Sequence, residues 1–391
     1  MVTRRAPPIA RWSPLAGLAV VAILAPLLFA GPGTDLDTGA VIQSGRAILH
    51  GDYTASRAPG SPVHEAIVGV LERIGGTTLS NIGSLAMAVV LCVAIATLLR
   101  RNGVPHAELA VAFVVANPWF QIAATSTVDF IWAVALLLCG VIALRSGHPV
   151  VAGLLFALAI GCRMSTAILV GAALVAEAVG AAARRRAAVT SGLVALLGSV
   201  LLYLPPFFAA GSTLAFAQND FRTASPAVHL GRALAKLLYF FGPYAAVGLC
   251  FALPSVGCAL RQWRTNWMVR FAAVGAGASV LLFIRFPWKM GHLIPLLLCV
   301  ALLLAVALAR RPHLLAALVA LELLFGIVNV EVVQPNSQNS ATAARFVWNV
   351  KWGPLIVDAR CRRDDEHAWV GNDQARLEAV WNCAKPFGTG R

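Results

Sequence analysis

Asp35 and Asp37 stand two residues apart in Gly31-Pro-Gly-Thr-Asp-Leu-Asp-Thr-Gly39, directly after an apolar run from Leu15 to Ala30. In an extended segment residues i and i+2 face one side, so both carboxylates could serve one site; on a helix they would diverge. A carboxylate at the edge of a membrane can act as a general base on an acceptor hydroxyl. A pair of them can also hold Mg²⁺ or Mn²⁺, because hard cations take carboxylate oxygens. The plainer alternative is a solvated loop whose aspartates cap the next helix. The spacing alone leaves these readings open.

A second segment, Tyr53-Thr-Ala-Ser-Arg57-Ala-Pro59-Gly60-Ser-Pro62, is stiffened by its prolines and glycine, so Arg57 is presented from a rigid turn. An arginine at interface depth can grip a phosphate through two parallel hydrogen bonds, or simply rest among lipid headgroups. Glu65 falls in the first turn of the helix that starts at Pro62, where it suits the helix dipole. Further on, Asp129 follows Ala123-Ala-Thr-Ser-Thr127, and Arg163 interrupts the apolar stretch from Gly153 to Gly180. Arg285-Phe-Pro-Trp-Lys289-Met-Gly-His292 gives three potential phosphate ligands in one short turn. Asp220 and Arg222 occupy the loop 211–229. Charges at membrane depth are costly and mark a functional cavity by default, with snorkelling to headgroups as the alternative. Glu322, within the last apolar run, reads as a buried hydrogen-bonding residue.

Composition fixes what must position these groups. Apolar residues make up 59% of the chain and charged residues 12%, about half the share of a soluble domain, with mean hydropathy +0.77. Apolar runs long enough to cross a ~30 Å hydrocarbon core recur along the chain. They fall near 13–30, 80–99, 106–121, 128–144, 149–162, 165–182, 188–209, 235–258, 271–284, 291–309 and 313–330. This predicts an all-α integral membrane protein with about 11 transmembrane helices. The first run reads as an uncleaved helix rather than a signal peptide, since Leu28 and Phe29 take the positions a cleavage site would give to small residues.

Alternating loops then sort the charge. The net charge is +14, and Arg4, Arg5, Arg11, Arg100, Arg101, Arg145, Arg184, Arg185, Arg186, Arg261, Arg264, Arg270, Arg310 and Arg311 fall on one side. Of the 17 acidic residues, all but Glu108, Glu177 and Glu322 face the other side or its helix ends. Positive loops stay in the cytoplasm, which makes a multi-pass plasma (inner) membrane protein with a cytoplasmic N-terminus. The C-terminus and the acidic residues are then extracytoplasmic. The same sorting accounts for the basic clusters without a nucleic-acid partner.

Residues 1–332 thus form a polytopic domain with an outer loop at 31–79, and 333–391 form a small outer tail rich in aromatic residues (Phe346, Trp348, Trp352, Trp369, Trp381). Within the loop, Val41/Ile48 and Ile42/Leu49 recur every seven residues and predict a helix over 38–50 stopped by Gly51. Ser61 as N-cap and Pro62 as first residue predict a second helix, ended by Gly75-Gly76. Both are expected to lie in the membrane interface. Cys361 and Cys383 in the tail are either a disulfide or two free thiols; the other six cysteines lie in apolar helices. No phosphate-binding glycine loop or dinucleotide motif is present, which leaves no nucleotide cofactor.

In layout, residues 10–330 resemble the GT-C superfamily of polytopic glycosyltransferases that use polyprenyl-phosphate sugars. That group includes the protein O-mannosyltransferases, the aminoarabinose transferases of lipid A and actinobacterial mannosyltransferases. The resemblance rests on ordered motifs: Asp35-Leu36-Asp37 after the first helix, the Arg57-to-Pro62 turn, Asn117-Pro118-Trp119, and Gly153-Leu-Leu-Phe-Ala-Leu-Ala-Ile-Gly-Cys-Arg163. It implies transfer of mannose or another hexose or pentose from a polyprenyl-phosphate donor to a lipid, glycan or protein acceptor. Asp35 or Asp37 would be the general base. Arg57, Arg163, Lys289, His292 and Arg285 would meet the phosphate, with Tyr53, Glu65 and Asp129 close by. Members differ in their need for Mg²⁺ or Mn²⁺. Two other functions compete: a transporter or flippase of lipid-linked sugars, which should show inverted repeats and midplane charges, and a polysaccharide polymerase or ligase, which should place its key residues in later outer loops.

Overall fold

The computed structural model describes residues 24–210, 226–287, 289–333, 347–363 and 383. The first predicted helix lies outside these residues except for a helical stretch at 24–28, and Asp220 and Arg222 lie outside them as well. The rest is a helical membrane bundle. Its elements are α1 (Leu36–Leu49), α2 (Pro62–Arg101), α3 (Ala107–Ala116), α4 (Pro118–Ala124), α5 (Phe130–Arg145), α6 (Pro149–Cys162), α7 (Ala167–Ala178) and α8 (Ala182–Ala210). Then come α9 (Pro226–Leu260), α10 (Trp267–Arg285), α11 (Ile294–Ala307), α12 (Pro312–Ile327), a β1/β2 hairpin (Val328–Val333 and Val347–Trp352) and α13 (Pro354–Arg363).

The count of 11 spans is not reproduced. Among the described residues five helices are long and apolar enough to cross a membrane, or six if the bent pair α3/α4 is one span. Phe130–Arg145, Pro149–Cys162, Met164–Ala178 and Pro312–Ile327 are apolar but shorter. The predicted helix over 106–121 is broken at Asn117 by 78°. Pro118 cannot donate to a continuing helix, so a new one starts there. The Asn117 side-chain oxygen caps that start, accepting from the amides of Trp119 (3.1 Å) and Phe120 (3.2 Å). Its amide nitrogen donates to Glu322 Oε2 (3.2 Å) and to the Phe240 carbonyl (3.1 Å), which binds α4 to α9 and α12. Glu322 is accordingly a fully buried hydrogen-bonding residue.

Three more boundaries move. α9 begins well before residue 235 and is kinked at Gly242, whose φ is +73°. α8 begins at Ala182 and takes in the three arginines Arg184, Arg185 and Arg186. The last apolar run ends as helix at Ile327, because Val328-Asn-Val-Glu-Val-Val is β-branched and alternating, and it pairs antiparallel with 347–352. The all-α expectation therefore gains one two-stranded sheet.

The interfacial helices of the outer loop are present. α1 follows Asp35 as N-cap and ends at His50, before Gly51 in a left-handed turn (φ +82°). α2 begins at Pro62 and continues into the membrane, with non-helical angles at Gly75 and Gly76 marking the predicted break. Val41, Ile42 and Val68 form a small buried cluster between α1 and α2. The helices cross where glycine faces glycine: a Cβ on Gly69 would fall 2.3 Å from the Gly45 carbonyl oxygen.

Opposite ends of the bundle carry opposite chemistry. At one end Arg100 pairs with Glu108 (2.6 Å), Arg145 with Glu177 (2.9 Å), and Arg101 donates to Ser146 Oγ (2.9 Å). Arg270 donates there to the carbonyls of Trp263 (3.1 Å) and Arg264 (2.9 Å). Of the three glutamates that broke the sorting rule, Glu108 and Glu177 each neutralise an arginine, while Glu322 is held by Asn117. At the other end lie the start of α1, the first turn of α2, the start of α5, the end of α6 and the segment before α11.

Candidate functional site

That second end gathers three aspartates and three cations from five separate parts of the chain. Asp35 is the N-cap of α1 with extended backbone (φ −83°, ψ 127°), and its Oδ1 accepts from the Asp37 amide (2.9 Å). Asp37 lies in the first helical turn. The expectation that the pair needs an extended strand to share a face is corrected here. The bend at the cap turns both carboxylates onto one ammonium group: Lys289 Nζ lies 2.5 Å from Asp35 Oδ1 and 2.8 Å from Asp37 Oδ1. Capping and site formation, weighed as alternatives, coexist in the same residue.

Asp37 continues the chain of charge. Its Oδ2 accepts from Arg57 Nη1 at 2.7 Å, and Arg57 Nη2 donates to Ser61 Oγ (3.1 Å) and to Asp129 Oδ2. Asp129 is 1% exposed. Its Oδ2 also accepts from Ser61 Oγ (3.0 Å) and its Oδ1 from Arg163 Nη1 (2.8 Å). Arg163 in turn donates to His292 Nε2 (2.9 Å) and lies over the Phe130 ring at 4.0 Å. Since a guanidinium only donates, that His292 nitrogen must be the acceptor of a neutral ring. The formal charges of the three aspartates and three cations cancel. Such mutual pairing is what lets charges persist in so dry a place.

Burial pushes the Asp37 carboxyl upward, but Lys289 and Arg57 outweigh it and hold the group well below the usual carboxylate range. For the Lys289 ammonium, burial works against the charge while Asp35 and Asp37 outweigh it and raise its pKa. Both groups are thus kept ionised by one another.

The remaining sequence candidates fall into supporting places. Glu65 is fully buried and accepts from the Tyr53 hydroxyl (2.5 Å), the Ser56 amide (3.0 Å) and the Ser56 hydroxyl. This brace fixes the loop that presents Arg57, so Tyr53 and Glu65 position the site rather than line it. Arg285 is exposed at the end of α10 with its guanidinium 5.2 Å from the Phe286 ring; the structure does not group it with the aspartates.

The donor set does not fit a divalent metal as it stands. Lys289 takes the place between Asp35 and Asp37 that a cation would need, and Asp129 has both oxygens engaged by arginines. Among the described residues no group of three or more His, Cys, Asp or Glu side chains is arranged so that it could hold a metal ion.

Beside this cluster lies a cavity of about 90 Å³. Asp35 and Lys289 form one edge; Thr34, Ser126, Trp119 and the tail residue Asp358 line the rest. Sequence reasoning missed Ser61, Phe130, Asp358 and Arg362. Arg362 is 3% exposed and ties α13 to the site, donating to the carbonyls of Thr125 (2.7 Å) and Ile122 (3.2 Å) and to Ser126 Oγ (2.5 Å). Asp358 accepts from Thr34 Oγ1 (2.7 Å). Cys361, next to these residues, is bonded to Cys383, which resolves the open choice for the tail cysteines. The tail is expected from its aromatic residues and charge to pack on the outer loops, but its sequence does not show how.

Two solved structures share this architecture. ArnT from Cupriavidus metallidurans bound to undecaprenyl phosphate matches with TM-score 0.58 and 15% identity over 95% of this chain and 74% of that one. The same protein in the apo state matches with TM-score 0.56 and 17% identity over the same shares. ArnT is an aminoarabinose transferase with the GT-C fold, so this chain has that fold. No known protein family matches the sequence, and no curated protein does.

Proposed function

We propose that the protein transfers a sugar from a polyprenyl-phosphate carrier to an acceptor hydroxyl, at the extracytoplasmic surface of the membrane. The observation that carries the reading is the interlocked cluster of Asp35, Asp37, Asp129, Arg57, Arg163 and Lys289 at the mouth of a cavity. It sits in a fold shared with ArnT, which was crystallised bound to undecaprenyl phosphate. The membrane side follows from the basic ends of the helices lying opposite the cluster. A flippase would need its charges near the midplane, and these lie at one end of the bundle.

Asp35 is the better base, because it borders the cavity, whereas Asp37 is shared between Lys289 and Arg57. Its carboxylate takes the proton of the acceptor hydroxyl as that oxygen bonds to the anomeric carbon. The bond from the anomeric carbon to the phosphate oxygen breaks, and polyprenyl phosphate leaves with the electron pair. As Asp35 gains the proton it loses its charge, and Lys289 is released toward the phosphate when negative charge builds there. Arg57 and Arg163 supply fixed positive potential in a water-poor site, the kind of preorganisation that contributes most to such reactions. The sugar is mannose or another hexose or pentose; the acceptor is a lipid, glycan or protein hydroxyl. Lys289 occupies the metal position, so the chemistry runs without Mg²⁺ or Mn²⁺.

The test uses the full protein in nanodiscs with decaprenyl-phosphate mannose, a panel of hydroxyl acceptors, and release of decaprenyl phosphate as readout. Turnover is expected in the wild type and unchanged by EDTA. Lys289→Ala should lower it by about 10²-fold or more. Full turnover in Lys289→Ala, or turnover abolished by EDTA, would contradict the proposal.

A further inference from the structure

Asp35 and Asp129 reach the cluster on two separate loops, 31–35 and 125–129. The first loop has little conformation of its own. Gly31 and Gly33 take φ of +87° and +120°, a region that glycine enters freely. Lys289 pulls on Asp35 itself, but in the proposed step it lets go as the proton arrives. The ion pair therefore cannot hold the base in place throughout the reaction, and a neutral contact has to.

Asn81 supplies that contact. It stands on α2 beyond the break at Gly75 and Gly76, and its side chain is fully buried. The amide nitrogen donates to the Leu28 carbonyl (3.1 Å) and to the Gly31 carbonyl (2.9 Å). The amide oxygen accepts from Thr127 Oγ1 (3.1 Å). Carbonyls only accept, so the two of them fix which end of the amide faces the first loop. The Leu28 carbonyl closes the helical stretch 24–28, where the last carbonyls lack partners of their own. One side chain thus joins the end of that helix, the loop of Asp35 and the loop of Asp129.

The two loops also touch directly. The Thr127 amide donates to the Pro32 carbonyl (2.9 Å), and a Cβ on Gly33 would fall 2.7 Å from Ser126 Oγ. An amide side chain inside an apolar helix is costly unless its donors are met, and here both hydrogens are used. The network carries no charge, so protonation of Asp35 or arrival of an anionic headgroup leaves it intact. Ordinary polar glue between helices would stabilise the bundle without bearing on the rate.

We propose that Asn81 is a positioning residue of the transfer reaction: it clasps the loop of Asp35 to the loop of Asp129 and so sets the base at a fixed distance from Arg57 and Arg163. The inference rests on the glycosyl-transfer reading and adds to it a residue that touches neither carrier nor acceptor. A misplacement of about 1 Å in a reacting group can cost about 10²-fold in rate.

The full protein in nanodiscs carries Asn81→Leu, which deletes all three bonds, or Thr127→Val, which deletes one. Single-turnover release from decaprenyl-phosphate mannose, binding of decaprenyl phosphate and amide exchange by mass spectrometry are read on each. Asn81→Leu should slow release about tenfold or more, with decaprenyl phosphate binding held within about twofold. That loss should largely vanish in the Asp35→Asn background, because residues that act through one group are not additive. Peptides covering 31–38 and 125–129 should exchange about tenfold faster, with α11 unchanged. Thr127→Val should move each quantity the same way by less, and it decides where Asn81→Leu does not fold. Unchanged exchange in the two loops, wild-type release, or an equal loss in both backgrounds overturns the positioning role. Where the donor sugar is not turned over, exchange decides. Failure of wild type to bind decaprenyl phosphate overturns the glycosyl-transfer reading instead.

Discussion

Asp129 is the residue on which the cluster closes. It is nearly inaccessible and holds Arg57 with one oxygen and Arg163 with the other, so it fixes the distance between the two guanidinium groups. Removing one member of such a buried set typically costs about 3–5 kcal/mol, because the partner charges stay behind. Asp37 carries a pH signature. Its folded pKa is held below the unfolded value, so its ionised form contributes stability above about pH 4. That contribution is lost as pH falls through the depressed folded value. Between pH 7 and 5 that contribution is complete and constant, so Asp37 should add no pH dependence to the melting temperature there. Between pH 4 and 2 the wild type should lose more stability than Asp37→Asn, measured by melting in detergent; equal losses would mean that Asp37 is not ion-paired. Much of the cluster was legible as residue types, since Asp35, Asp37, Arg57, Asp129, Arg163, Lys289 and His292 are all charges or histidines at membrane depth. Their partnerships were not. Lys289 meets Asp35 across 254 positions, and no local spacing encodes that.

At the scale of elements, the glycines of α1 and α2 explain what a propensity argument could only count against a helix. Gly45 and Gly69 bring the two backbones into contact, and that contact sets how Asp35 and Asp37 stand relative to Arg57 and Ser61. A larger residue must force the helices apart, which costs about 1–3 kcal/mol in a packed interior. Gly69→Val should lower the melting temperature and reduce turnover while α-helical content by circular dichroism stays constant. A variant with full stability would show that the crossing is looser than described. Apolar runs located the helices because burial among lipids leaves little choice of composition. They missed the break at Asn117, although Pro118 stood in view, because Pro is common at membrane helix ends and its apolar neighbours continue on both sides. The β1/β2 hairpin and α13 had no comparable signal. Their structure comes from docking, through Arg362 and Gly353, onto surfaces that only the fold creates.

Across the whole molecule the same sequence property does two things. Arginines at one end of the bundle, among them Arg100 and Arg145 met by glutamates, Arg101 by a hydroxyl and Arg270 by carbonyls, give the chain a basic face. At the other end the positive charges are drawn inward and locked to aspartates beside a cavity. An anionic lipid headgroup reaching that end meets cations already oriented, with a carboxylate next to them that can accept a proton. The two-ended layout was legible from loop charge alone; the length of the spans was not, because several apolar helices are shorter than the runs of sequence that suggested them. The account's central claim is that Asp35 takes the acceptor's proton. Single-turnover release of decaprenyl phosphate by Asp35→Asn tests it most directly, read beside decaprenyl phosphate binding by the same sample. The account predicts a rate about 10²–10⁴-fold below wild type with lipid binding retained; a variant that binds the lipid and turns over at the wild-type rate would contradict it.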